Sequence, residues 1–219
     1  MKPTIIYVYD MLCSWCYGFE KEMKQLYDKY NEAYDFQFVS GGMFPSTQNR
    51  RIKDALGAGF REAYARVIEV SGAGITEKYL AGLVQNANYR LDSEITASAF
   101  STFKTYPNFK GNEINFITQF QYNMYHEGLN PNEDEIYLKT ADHFGIAGEE
   151  FLQKMKMAEI TEDVLKDFDY TQALQVTGFP HVFLKTPAKQ YYLLARGYDK
   201  EENIAARIDN IEKELKRKE

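Results

Sequence analysis

The sequence predicts an α/β fold in which a large all-helical insertion separates two halves of a sheet-containing domain. Three observations carry that expectation. The chain opens strand–helix–strand; residues 49–159 show helical periodicity and no convincing strand; and it closes on a helix, two hairpin strands and a last helix. A strand–helix–strand start implies parallel strands joined by a crossover helix. The expected division is residues 1–48 and 160–219 for the α/β part and 49–159 for the insertion.

Thr4 to Tyr9 is β-branched and aromatic and reads as a buried strand. Cys16, Phe19, Met23, Leu26 and Tyr30 then recur at spacings of three and four, the stripe of an amphipathic helix. Tyr34 to Ser40 alternates as a second strand, and Gly41 to Ser46 is a turn or loop. Within the insertion, Ile52, Leu56, Phe60, Ala63 and Val67 fit one helix, weakened by Gly57 and Gly59. A short helix is expected over Thr76 to Gln85. Asp92 or Ser93 caps a helix bearing Ile95, Ala99, Phe103 and Tyr106, closed by Pro107. Asn112 caps the next, with Ile114, Ile117, Gln121 and Met124 on one face. Glu133 to Phe144 and Glu149 to Met157 are two more short helices. The second half resumes with a helix over Thr161 to Gln175. A turn glycine, Gly178, and Pro180 lead into a strand ending near Leu184, where proline at a strand start is tolerated. Tyr191 to Ala195 is its hairpin partner, and Ile204, Ile208, Ile211 and Leu215 define the terminal helix.

Both cysteines, Cys13 and Cys16, stand where the first strand ends and the first helix begins. First-turn N–H groups of a helix lack intrahelical partners and carry partial positive charge. They favour a thiolate, which is the attacking species. Cys13, nearest those groups and solvent, is the expected nucleophile. Cys16, one turn further in and more buried, is expected to resolve the mixed disulfide. Between them, Ser14 and Trp15 tune the site. Trp15 carries no charge to stabilise a thiolate, so a less oxidising pair is expected than with an imidazole there. It is also placed at the site mouth, as an apolar contact for substrate. Asp10 either caps the turn or assists proton transfer at Cys16; the residues leave both open. The plain reading of the cysteines is two small buried hydrophobes. A zinc site is disfavoured, because two thiolates supply half of the four ligands zinc takes and only His181 could join them. His126 and His143 read as surface or satisfied histidines.

Composition narrows the function. A net charge of −6 argues against a nucleic-acid surface; the tail Lys213 to Glu219 is mixed in sign and reads as a solvated helix end. No stretch approaches the roughly 20 apolar residues of a membrane span. With no leader-like segment after Met1, the cytoplasm is the expected compartment. There a CxxC is catalytic or metal-binding rather than structural. Tyr and Phe are abundant, at 17 and 15 residues; most are expected in the core, some in an apolar groove over the cysteines.

Together these features resemble the thioredoxin fold, and the long insertion resembles its DsbA-like branch. The stretch Asp10 to Phe19, Gly41-Gly42-Met43 and Gly178-Phe179-Pro180 are similar to the cytoplasmic predicted protein-disulfide isomerases of that branch. The resemblance implies a thiol–disulfide oxidoreductase or isomerase with Cys13 and Cys16 as its redox pair. Its substrates would be disulfide- or thiol-bearing proteins, peptides or small molecules. No organic cofactor is implied, since the two sulfurs carry the electrons; glutathione is a candidate co-substrate. It further implies that Pro180 is a cis-proline facing the cysteines. Such a bond would offer the Phe179 backbone to an extended substrate by strand addition. Ser14, Trp15, Phe179 and Pro180 are therefore the expected substrate contacts. The Ser-Trp spacer departs from the Pro-His of strongly oxidising periplasmic members, which leaves the direction open. A reducing cytosol favours reductase or isomerase. Two rivals remain: a glutathione-dependent isomerase or transferase on the same scaffold, whose members usually carry serine where Cys13 stands, and a non-catalytic binding module.

Overall fold

Successive side chains of a strand point to opposite faces of its sheet, and in Thr4–Tyr9 (β1) every side chain from Ile5 to Tyr9, on both faces, is apolar or aromatic and buried. The strand therefore has to be covered twice. The computed structural model describes residues 2–48 and 50–217. The last two positions of the mixed-charge tail, Lys218 and Glu219, lie outside the described residues, as do Met1 and Asn49. The other strands are β2 (Asp35–Ser40), β3 (His181–Lys185) and β4 (Tyr191–Arg196). Helices are α1 (Ser14–Tyr30), α2 (Ile52–Leu56), α3 (Phe60–Ser71), α4 (Ser93–Phe103), α5 (Glu113–Tyr125), α6 (Asp134–His143), α7 (Gly148–Met155), α8 (Ala158–Ala173) and α9 (Glu201–Lys216).

The sheet order is β2-β1-β3-β4. β2 runs parallel to β1, with Tyr9 opposite Ser40. β3 runs antiparallel to β1, with Tyr7 opposite Val182, and β4 antiparallel to β3. Ile5, Tyr7 and Tyr9 share a core with Cys16, Phe19, Met23 and Leu26 of α1 and with Ile204 and Ile208 of α9. Ile6, Val8, Val39 and Phe183 form the opposite face, under Tyr170 of α8 and the following Leu174 and Val176. The parallel pair and the hairpin are thus those the sequence predicts.

One apolar core runs through both parts. Phe100 of α4 meets Tyr9 edge-on at 5.7 Å. Phe103 stacks on Phe116 of α5 at 4.3 Å, and Tyr125 stacks on Tyr17 of α1 at 5.1 Å. Such pairs add about 0.5–1.5 kcal/mol each beyond the area they bury.

Several local expectations change. The helix expected over Ile52 to Val67 is two, because Gly57 adopts φ +63°, a left-handed conformation that ends α2. Thr76 to Gln85 forms a single wide π turn over Lys78–Gly82 and a tight turn over Leu83–Gln85. Tyr79, Leu80, Leu83 and Val84 are all buried there, so packing on several sides overrides a one-faced α-helix. Asp92, not Ser93, caps α4, its Oδ1 accepting from the Glu94 and Ile95 N–H groups; the helix stops at Phe103, short of Pro107. Asn112 makes no side-chain cap to α5. α8 starts earlier than expected, at Ala158. Arg50 and Leu91 form an isolated antiparallel bridge within the otherwise helical region. Among the described residues, no helix is long and apolar enough to cross a membrane.

Candidate active site

The strand β1 ends at Tyr9, and the chain must turn at once into α1. Asp10 makes that turn possible. Its Oδ1 accepts from the Leu12 N–H at 2.9 Å and its Oδ2 from the Met43 N–H at 2.8 Å. Gly42, at φ +72°, delivers the Met43 amide. The carboxyl is buried, which pushes its pKa up; the Met43 and Leu12 amides oppose this. Asp10 therefore closes the turn and pins it to the Gly41-Gly42-Met43 loop, the capping role of the two its sequence position allows.

Cys13 is the N-cap of α1, with φ −89° and ψ 111°. Its Sγ accepts the Cys16 N–H at 3.4 Å, where serine or threonine oxygen usually sits. As a thiol it donates to the Phe179 carbonyl at 3.6 Å. The peptide bond between Phe179 and Pro180 is cis. The Phe179 ring lies over Gly41, where a Cβ would fall 2.0 Å from its Cε1. Two loops far apart in sequence are thereby packed against the cysteine turn. Both cysteines are free thiols.

The expected order of the two sulfurs holds, with both largely below the surface. Cys13 is 5 % exposed and Cys16 is wholly buried. Cys13 faces a cavity of about 210 Å³, lined also by Ser14, Trp15, Met43, Tyr64 and Leu91. The loop after β2 and helices α2 and α3 stand over the α1 N-terminus, and local sequence carries no trace of that cover. Trp15 packs at a tilt against Tyr198, 6.3 Å between centroids. Burial raises the Cys16 pKa well above the ordinary thiol value, and the neighbouring Cys13 adds to it, while the Asp10 backbone opposes. Tyr7, buried beside both sulfurs, is raised for the same first reason.

The residues that hold the turn from the other side come from α5. Gln121 Nε2 lies 3.3 Å from the Asp10 carbonyl, 3.2 Å from that of Met11 and 3.5 Å from that of Cys13, and shares its two hydrogens among the three. Tyr125 OH donates to the Leu12 carbonyl at 2.6 Å. All four consecutive carbonyls are met. Both side chains are wholly buried. From the sequence Gln121 is merely one member of a helix face; its one hint is an amide in an otherwise apolar stripe.

His181 does not approach the cysteines. It stacks on Phe183 at 5.9 Å, and alternation puts both on the sheet face opposite Tyr7. Its pKa is lowered by burial. No cluster of three metal-ligating side chains occurs among the described residues. His126 is half-exposed, with Nδ1 3.1 Å from the Gly74 carbonyl.

Comparison with known proteins agrees with this geometry. A family model described as thioredoxin matches residues 7–205. The chain is similar to a Nitrosomonas europaea protein whose structure bears the provisional name protein disulfide isomerase. That match has TM-score 0.84 and 18 % identity, covering 98 % of this chain and 99 % of that one. It is also similar to the cytosolic disulfide reductase DsbM from Pseudomonas aeruginosa, with TM-score 0.77 and 20 % identity over 95 % of this chain and 98 % of that one. A structure of DsbM with GSH matches at TM-score 0.74 and 22 % identity, over 95 % and 99 % of the two chains. At these identities the structures speak for the fold, a thioredoxin-like sheet with the helical insertion of DsbA-like proteins. With the match over residues 7–205, the chain belongs to the thioredoxin family.

Proposed function

We propose that the protein is a thiol–disulfide oxidoreductase that works through Cys13 and Cys16. The observation that carries this reading is the Cys13 sulfur at the α1 N-cap. It accepts the Cys16 amide and stands beside the Phe179 carbonyl, with the second thiol one turn behind. The Cys13 thiolate attacks a substrate disulfide, forming a mixed disulfide and expelling one substrate thiolate, which takes a proton. Cys16 loses its proton, attacks the Cys13 sulfur and releases the second thiolate. The protein dithiol gives up two electrons and the substrate becomes two thiols. Burial keeps Cys16 protonated in the dithiol, which leaves Cys13 as the sulfur that attacks first.

Ser14, Trp15, Phe179 and Pro180 form the substrate-facing rim in this reading, and Asp10 is a positioning residue. The substrates are disulfide-bearing proteins, peptides or small molecules, and the net direction is reduction or isomerisation in the cytoplasm. The likeness to a cytosolic disulfide reductase, one structure of which holds GSH, supports that direction and supports glutathione as the reductant that recycles the pair. The test is insulin disulfide reduction with glutathione as reductant, with the wild type and Cys13→Ser side by side. A wild-type rate well above both the uncatalysed rate and the variant is expected; equality of the three would reject the reading.

A further inference from the structure

The cavity at Cys13 is set apart by its neighbours. Its wall includes Cys13, Trp15, Ile52, Ala63, Tyr64 and Leu91, and none of the described residues that line it is charged. The Tyr64 hydroxyl is engaged with Tyr79 at 2.7 Å, which takes up one of its hydrogen-bonding positions. The volume, about 210 Å³, falls short of the roughly 300–1,000 Å³ of ordinary ligand pockets. It exceeds the about 150 Å³ apolar cavity that accepts benzene. Because Cys13 is part of the wall, any disulfide it attacks brings the atoms attached to its sulfur to this opening.

We propose that this cavity is a specificity pocket for a single uncharged aromatic group carried two or three bonds from the substrate sulfur. The enzyme thereby prefers disulfides with such a group over those with small polar or acidic ones. The inference rests on the thiol–disulfide reading and deepens it. An aromatic ring gains by leaving water for an apolar wall. A carboxylate would be desolvated there without a cation to meet it.

The test uses reduced protein and three disulfides: bis(2-hydroxyethyl) disulfide, 2-hydroxyethyl 2-phenylethyl disulfide and 2-hydroxyethyl 2-carboxyethyl disulfide. In the reaction with the second, Cys13 bonds to the phenylethyl-bearing sulfur and 2-mercaptoethanol leaves with a proton. Cys16 then expels 2-phenylethanethiol, so that protein dithiol becomes disulfide as one probe becomes two thiols. Trp15, the single tryptophan, reports single-turnover oxidation by fluorescence. Each rate is divided by that of free 2-mercaptoethanol with the same probe, to remove intrinsic reactivity. The phenylethyl probe is expected to react at least about tenfold faster than either other probe. Ala63→Phe, on the exposed side of α3, fills the cavity and is expected to bring that ratio to within about twofold of one. Equal corrected rates in the wild type, a carboxyethyl probe that reacts fastest, or a ratio untouched in folded Ala63→Phe each overturn the pocket. The wild-type ratio decides the matter even where the variant does not fold. Failure of all three probes to oxidise the pair overturns the thiol–disulfide reading itself, and the pocket with it.

Discussion

The two sides of the cysteine turn are built on different physics. On one side Cys13 meets an apolar cavity, the Met43 loop and one backbone carbonyl, that of Phe179. On the other, the carbonyls of residues 10 to 13 are all bonded to Gln121 and Tyr125 of α5. The first side leaves the sulfur free to change partners. The second leaves the backbone almost no freedom. A nucleophile that must open and close a bond repeatedly needs both, since small misplacements of reacting atoms cost large factors in rate.

That contrast can be broken at graded cost. Cys13→Ser removes the attacking sulfur and should reduce disulfide turnover to background, whereas Cys16→Ser should accumulate mixed disulfide on Cys13, read by intact mass. Next in size is Glu20 of α1, pushed by burial to about 7 from an ordinary 4.5, with the Thr118 side chain of α5 opposing the rise. The folded state therefore holds this proton over a pH range in which the unfolded state has lost it. Stability from this group is highest below pH 4.5 and falls as pH rises to about 7. Glu20→Gln should flatten that fall and stabilise the protein at pH 8 by on the order of 2–3 kcal/mol, measured by urea denaturation. Asp167, raised to about 6 by burial, leaves a smaller slope of the same sign in the variant.

Gln121→Leu tests the clamp directly. The Asp10 and Cys13 carbonyls keep backbone donors, from Cys13 and from Cys16 and Tyr17. The Met11 carbonyl is the one left bare, so the loss should be about 1–3 kcal/mol of stability. A mere structural role would stop there; a positioning role also shifts the Cys13–Cys16 redox potential, measured against glutathione. The smallest effect is expected from Gly41→Ala, which forces the Phe179 ring away. Turnover should drop about tenfold with little change in stability. A rate unchanged by this substitution would mean that the Phe179 side of the turn is not where substrate is met.

Much of the molecule is legible from local rules. β-branched and aromatic content marks β1, spacing marks α1, and the cysteine pair at their junction marks the chemistry, because capping and periodicity act within a few residues. The Gly41-Gly42-Met43 and Gly178-Phe179-Pro180 stretches also stand out in the sequence, though not what each touches. Only the tertiary structure decides that Cys13 lies in the wall of an apolar cavity under α2 and α3, that His181 points away from the sulfurs, and that Gln121 reaches back to the turn across a separation of 111 residues. The reason is common to all three. Burial and hydrogen-bond partnership are properties of segments brought together by folding, and a side chain's own neighbours in sequence do not reveal which distant backbone it will meet.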